Sequence, residues 1–161
     1  MEFDQLKLRN QLCFPVYAAS RLITREYQPH LGKMGITYPQ YLVLMVLWET
    51  DGITVNAIAE KLILNTNTLT PLLKRMESMG IITRKRSGED ERKVEIRLTE
   101  KGRELRVSAS GIPETLINGI LNSTISVDKL IELRDNLNEL VGFLKQKGSF
   151  LPGLEENNIA G

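Results

Sequence analysis

The sequence predicts a mainly helical fold carrying one small β-hairpin. Three observations predict it. Apolar residues recur at helical spacing through most of the 161 residues. Period-two alternation appears in "IITRKRS" and "KVEIRLT", which flank the charged stretch "GEDER". Start and stop residues divide the middle of the chain into helix, short helix, helix, strand, charged loop, strand, which is the order of a winged helix-turn-helix.

Residues 1–11 are polar and are expected to be loosely ordered. A first helix is expected over about 11–28, with Leu12, Val16, Ala19, Leu22 and Ile23 on one face. Pro15 then falls in its first turn, where a missing N–H costs little. In "GITYPQYLVLMVLWETDG", Thr37 can cap, Pro39 sits in the first turn and Gly52 stops the run. Thr54 caps a short helix with Ile58, Ala59 and Leu62 inward. Asn65 or Thr66 caps the next, with Leu69, Leu72, Leu73 and Met76 inward, Pro71 able to bend it and Gly80 at its end. The alternating pair follows as the hairpin. Thr99 can cap a long helix that Ile112-Pro113 kinks or divides. Ser126 starts a last helix, on which Leu130, Leu133, Leu137, Leu140 and Leu144 form a short heptad stripe, read as a dimer seam or internal core, the two not exclusive.

Composition narrows the function. No apolar run approaches about 18 residues, so no transmembrane helix is expected. The opening "MEFDQLKLRN" lacks the apolar segment of a secretory signal. A single cysteine closes no disulfide within the chain and fits a reducing cytoplasm. The net charge of +1 hides an asymmetry. Lys74, Arg75, Arg84, Lys85 and Arg86 stand against Glu77 alone over residues 74–86, whereas acids outnumber bases after residue 112. A basic middle points to a polyanion.

The winged order makes that polyanion double-stranded DNA. The short helix from Thr54 braces a second helix whose first residues enter a major groove. Those residues are Asn65, Thr66, Asn67, Thr68 and Thr70. An Asn amide can pair bidentately with adenine and a Thr methyl can meet thymine. Lys74 and Arg75 follow at phosphate reach. The wing supplies Arg84 and Arg86 on its first strand and Asp90 and Arg92 at its tip, where the acid can hold the guanidinium for a narrow minor groove.

The stretch "LTPLLKRMESMGIITRKRSGEDERKVEIRLTEKG" resembles the recognition helix and wing of the MarR family of dimeric winged-helix regulators, Asp90-x-Arg92 included. "QLCFPVYAASRLITREYQPHLGKMGITYPQYLVLMVLWE" resembles its OhrR-type branch, repressors that sense organic hydroperoxides through one thiol. The resemblance covers roughly residues 5–145. It departs where the branch commonly opens its recognition helix with Asp-Ser-Gly and this chain has Asn65-Thr66-Asn67.

Cys13 can be a small apolar filler or a reactive group. A place near a helix N-terminus favours a thiolate, and all four tyrosines, Tyr17, Tyr27, Tyr38 and Tyr41, lie within 28 residues of it. The resemblance implies that Cys13 is the peroxide sensor and that tyrosines matching Tyr27 and Tyr38, from the other subunit, stabilise its thiolate. Phe14, Tyr17 and Tyr41 are candidates for a pocket around it. Oxidation would give a sulfenic acid, which without a second cysteine ends as a mixed disulfide with a low-molecular-weight thiol, a sulfenamide or an over-oxidised acid. The expected partners are thus a palindromic operator, a second copy of the chain, an organic hydroperoxide and a small thiol, with no membrane.

The rival is a regulator of the same fold controlled by a small aromatic ligand, with Cys13 structural. No enzyme is expected, since Leu6 and Asn10 stand where a peroxiredoxin would carry Pro and Thr or Ser. No metal or other cofactor is expected either: His30, read as a surface residue, is the only histidine. The chain is divided as a helical dimerisation region from 1–36 and 100–148, a DNA-binding region over 37–99 and a flexible tail over 149–161, forming one structural domain.

Overall fold

The structure is a computed structural model that describes residues 3–86, 93–121 and 125–147. It comprises two compact units, residues 1–38 and 39–161. Among the described residues the α-helices are α1 (Cys13–Lys33), α2 (Tyr38–Glu49), α3 (Val55–Leu62), α4 (Thr66–Ser78), α5 (Glu100–Ala109), α6 (Ile112–Leu121) and α7 (Val127–Gln146). The strands are β1 (Ile53–Thr54), β2 (Ile82–Arg86) and β3 (Val94–Leu98). The predicted hairpin tip, residues 88–92, and the predicted tail, 149–161, lie outside the described residues.

In the first unit, residues 4–10 are more ordered than their polarity suggested. They form two 3-10 turns, Asp4–Leu6 and Leu8–Asn10, closed by the Asn10 amide donating to the Asp4 carbonyl at 2.7 Å. Helix α1 starts at Cys13 and runs through Pro29 to Lys33, five residues beyond the expected end. Pro29 removes one backbone donor without ending the helix, because the following residues keep helical geometry up to the left-handed Gly35, φ +69°. The expected apolar face of α1 is exposed, Leu12 at 74% and Leu22 at 52%.

In the second unit the core is built from Val43, Leu44 and Leu47 of α2, Ile58 and Ala59 of α3, Leu69, Leu73 and Met76 of α4, and Ile81, Ile82, Ile96 and Leu98 of the hairpin. The caps are the polar residues the sequence offered. The Thr54 hydroxyl accepts from Ala57 N–H at 3.2 Å, Asn65 Oδ1 from Thr68 N–H at 2.7 Å and Thr99 Oγ1 from Gly102 N–H at 3.1 Å. The turn between α3 and α4 passes through Ile63 in a left-handed conformation, φ 55°. That is strained for a β-branched residue and is held by the buried helices on either side.

The sheet is antiparallel in the order β1-β3-β2. In the hairpin Ile82 pairs with Leu98 and Arg84 with Ile96. Strand β1, pairing Ile53 with Ile96, is an addition that sequence reading did not provide. Ile112-Pro113 does divide the long helix, giving α5 and α6. Helix α7 is capped by Ser126 and buries none of its residues. Its stripe is therefore no internal core: Leu133 is 54% exposed and Leu144 45%.

Three elements meet at Gly102. A Cβ placed there would lie 2.2 Å from the Ile81 carbonyl oxygen, and the Gly102 carbonyl accepts from Trp48 Nε1 at 3.0 Å. Gly102→Ala is expected to destabilise the protein by about 3 kcal/mol, since the obstacle is backbone and must move. Thermal unfolding followed by circular dichroism checks this; an unchanged midpoint would mean that α5 does not rest on this contact.

Candidate nucleic-acid interface and thiol site

Helix α4 is amphipathic in a way that sorts its residues. Leu69, Leu73 and Met76 are fully buried, which leaves Thr66, Asn67, Thr68, Lys74 and Arg75 exposed and Thr70 half-buried. The side chains at 67, 70 and 74 follow one another at helical spacing along one side. Asn65 differs from the other expected contacts, because its oxygen is committed to the cap. An amide oxygen held at a cap is fixed in direction, while both N–H donors of the amide remain.

On β2, Arg86 is exposed and Arg84 is not. The Glu77 carboxylate accepts the Arg84 backbone N–H at 3.2 Å and lies 3.6 Å from its Nη1. Arg84 faces a hollow of about 230 Å³ shared by Thr54, Asn56, Thr66, Thr70 and Lys93. Sequence reading missed Asn56 and Lys93 and the pairing of Glu77. The signal for the last was present, as Glu77 is the single acid in the basic stretch 74–86. Asp90 and Arg92 lie outside the described residues.

Cys13 is exposed and is the first residue of α1. No side chain caps this end, and Pro15, the third residue, has no N–H. The backbone donors of the first turn are those of Cys13, Phe14 and Val16. Phe14 and Tyr17 are exposed, and the Tyr17 ring carries the Arg21 guanidinium at 5.7 Å. Tyr41 is buried, edge-on to Trp48 with centroids 6.1 Å apart. His30 is half-buried.

Tyr27 and Tyr38 are brought together, their rings edge-to-face with centroids 5.0 Å apart. Burial pushes the Tyr38 phenol above its ordinary range, so it stays protonated and can donate. Neither ring pairs with Cys13 of its own chain by helix geometry. Cys13 and Tyr27 lie on one helix, 14 positions apart, which is about 21 Å along its axis.

A capped, exposed polar helix start beside a basic hairpin defines a winged helix-turn-helix DNA-binding protein. Residues 25–107 match the family model described as transcriptional regulator SarA/Rot. The chain is 51% identical over 146 residues to the organic hydroperoxide resistance transcriptional regulator of Bacillus subtilis, covering 91% of this chain and 97% of that one. It is 38% identical over 139 residues to the regulator MgrA of Staphylococcus aureus, covering 86% and 92%. Among solved structures, reduced AbfR bound to DNA superposes with a TM-score of 0.72 at 37% identity, covering 91% of this chain and 98% of that one. The chain belongs to this MarR-like SarA/Rot family of transcriptional regulators, and its relatives are not enzymes. No helix among the described residues is long and apolar enough to cross a membrane.

The Tyr38 shift has a consequence for stability. A phenol whose folded pKa is raised contributes its full stability below the unfolded value near 10 and loses it as pH rises through the folded value. Wild type is expected to lose stability above about pH 10 more steeply than Tyr38→Phe. Urea unfolding at stepped pH checks this; parallel curves would remove burial of Tyr38 as the cause.

Proposed function

We propose that the protein is a cytoplasmic homodimeric repressor that senses organic hydroperoxides through Cys13 and releases its operator on oxidation. The observation that carries the reading is an exposed lone thiol opening α1 in a chain 51% identical to an organic hydroperoxide resistance regulator.

On this reading, residues 1–36 and 100–148 serve dimerisation and 37–99 serve DNA. The exposed apolar faces of α1 and α7 support a second copy as their cover, since apolar surface of this extent is rarely left in water. A second copy also supplies what the helix geometry denies within one chain: Tyr27 and Tyr38 of one subunit stabilise the Cys13 thiolate of the other. Asn67 makes the bidentate adenine contact, because its exposed amide is free to turn to a base edge while the Asn65 amide is oriented by its cap bond. Lys74, Arg75 and Arg86 hold phosphates. Asp90 and Arg92 of the wing tip enter the minor groove.

The chemistry balances in two steps. The Cys13 thiolate attacks one peroxide oxygen, an S–O bond forms and the O–O bond breaks. Sulfur loses two electrons, and the departing alkoxide takes a proton from water and leaves as the alcohol. A small thiol then condenses with the sulfenic acid, forming a disulfide and releasing water. One relative, AbfR, has been solved overoxidised and still bound to DNA. This favours the mixed disulfide over the over-oxidised acid as the form that leaves the operator. Bulk at Cys13 breaks the tyrosine contacts, and the two recognition helices lose the separation of about 34 Å that a palindrome demands. A few hydrogen bonds of about 1 kcal/mol each amount to roughly 3 kcal/mol, a factor of about 150 in affinity.

Fluorescence anisotropy on the protein's own promoter, at stated salt, tests the reading. Wild type is expected to lose affinity about 100-fold with an organic hydroperoxide plus a small thiol, and Cys13→Ser to hold DNA throughout. If both variants hold DNA, Cys13 is a packing residue and the sensor reading falls.

A further inference from the structure

Among the described residues Gln40 is the one buried polar side chain of the core, 2% exposed. It stands on α2, and its Nε2 donates to Met79 Sδ at 3.5 Å. A thioether sulfur is a weak acceptor, so this is a modest bond for a buried amide. It is also a bond that chemistry at the sulfur can remove.

Met79 is the C-cap of α4, and its backbone is tied down. The Gly80 N–H donates to the Glu77 carbonyl at 2.9 Å and the Ile81 N–H to the Met76 carbonyl at 3.1 Å, with Gly80 left-handed at φ +69°. These are the paired bonds that close a helix. The Met79 carbonyl itself accepts from Lys101 Nζ at 2.9 Å. The side chain is half-buried, whereas that of Met76, one turn earlier, is fully buried. Met79 is thus open to a small oxidant while the Gln40 amide engages its sulfur from the core. A thioether sulfur has two lone pairs. With the amide on one, an incoming oxygen is left the other.

We propose that Met79 is a second oxidation site of this protein, open to organic hydroperoxides and independent of Cys13, and that its sulfoxide forms as one epimer because the Gln40 amide covers one face of the sulfur. The sulfur attacks the terminal oxygen of the hydroperoxide. An S–O bond forms, the O–O bond breaks and sulfur loses two electrons. The proton of the hydroperoxide passes to the departing alkoxide, which leaves as the alcohol. A polar group then stands where an apolar one packed, and the buried Gln40 donor loses its sulfur acceptor. The end of α4 loosens from α2 at the turn that leads into β2. The change is reversible, because a sulfoxide can be reduced back to the thioether. The site stands whether or not Cys13 is the sensor.

The test uses the full chain with Cys13→Ser, in which no thiol consumes the oxidant. The protein is treated with tert-butyl hydroperoxide, and the sulfoxide at Met79 is followed by peptide mass spectrometry. It is then offered to the two methionine sulfoxide reductases, each specific for one epimer. One of them is expected to restore Met79 and the other to leave it oxidised. The melting midpoint of the oxidised protein is expected to fall by about 3 °C, the worth of one lost hydrogen bond in a chain of this size. Adding Met79→Leu, a volume-conserving change, is expected to abolish that fall. Three results overturn the proposal: Met79 left intact at the highest dose the fold survives, a sulfoxide shared evenly between the two reductases, or an equal fall in midpoint with Met79→Leu. If the Met79→Leu protein does not fold, the division between the reductases decides alone, since it is read on the unaltered side chain.

Discussion

At the base of the wing, the Thr99 hydroxyl donates towards the carbonyls of Gly80 and Ile81, at 2.7 and 2.9 Å, and accepts from the Gly102 N–H at 3.1 Å. Its own N–H donates to the Ile81 carbonyl at 3.0 Å. One residue thus joins the end of β3, the start of β2 and the first turn of α5. Gly102 is admitted because it has no Cβ to meet Ile81, and Trp48 ties the same turn to α2. Lys101 adds a bond to the Met79 carbonyl at 2.9 Å. Together these contacts fix the path by which the chain leaves α4, makes the hairpin and enters α5. On the proposed reading α4 has to be held steady to meet DNA, and this junction braces the strands that follow it.

Asp51 plays a second, smaller part in the same construction. One carboxylate oxygen accepts the Gly52 and Leu98 N–H groups at 2.9 and 2.8 Å, and the other pairs with Arg103 at 3.3 Å. The acid holds the turn into β1 against β3 and α5. The two-residue strand β1 survives on this support, since a pair so short has too few ladder bonds to stand alone.

The second unit was largely legible because its signals are local. A polar oxygen followed by an apolar repeat is a cap, and Thr54, Asn65, Thr99 and Ser126 all serve as one. Alternation in "IITRKRS" and "KVEIRLT" made both strands legible, though not their register. What escaped was non-local. Strand β1 forms only because β3 presents an edge to it. The Glu77–Arg84 pair joins residues seven apart on different elements. The need for Gly at 102 arises from a carbonyl 21 residues earlier. The end of α1 was misjudged for another reason: proline is an unfavourable helix residue, not a forbidden one. On α4 the polar residues named from the sequence, Thr66, Asn67, Thr68, Lys74 and Arg75, are exposed, and of the two caps offered, Asn65 and Thr66, it is Asn65 that serves.

The apolar faces of α1 and α7 constrain any account of switching. In the second unit α4 is braced on its buried side by Leu69, Leu73 and Met76, all fully buried, and packed interiors of this kind do not deform gradually. A few hydrogen bonds lost at a thiol would not repack such a core. The exposed stripes are different, because surfaces between chains can exchange one discrete arrangement for another at a cost of a few kcal/mol. On the proposed reading, chemistry at Cys13 therefore acts on DNA by changing how two rigid readers are spaced, with each reader unaltered. The same reading favours tyrosines contributed by the partner. A stabilising contact within one chain would be broken by oxidation without consequence elsewhere, whereas a contact between chains couples the oxidation state of the sulfur to the geometry of the pair.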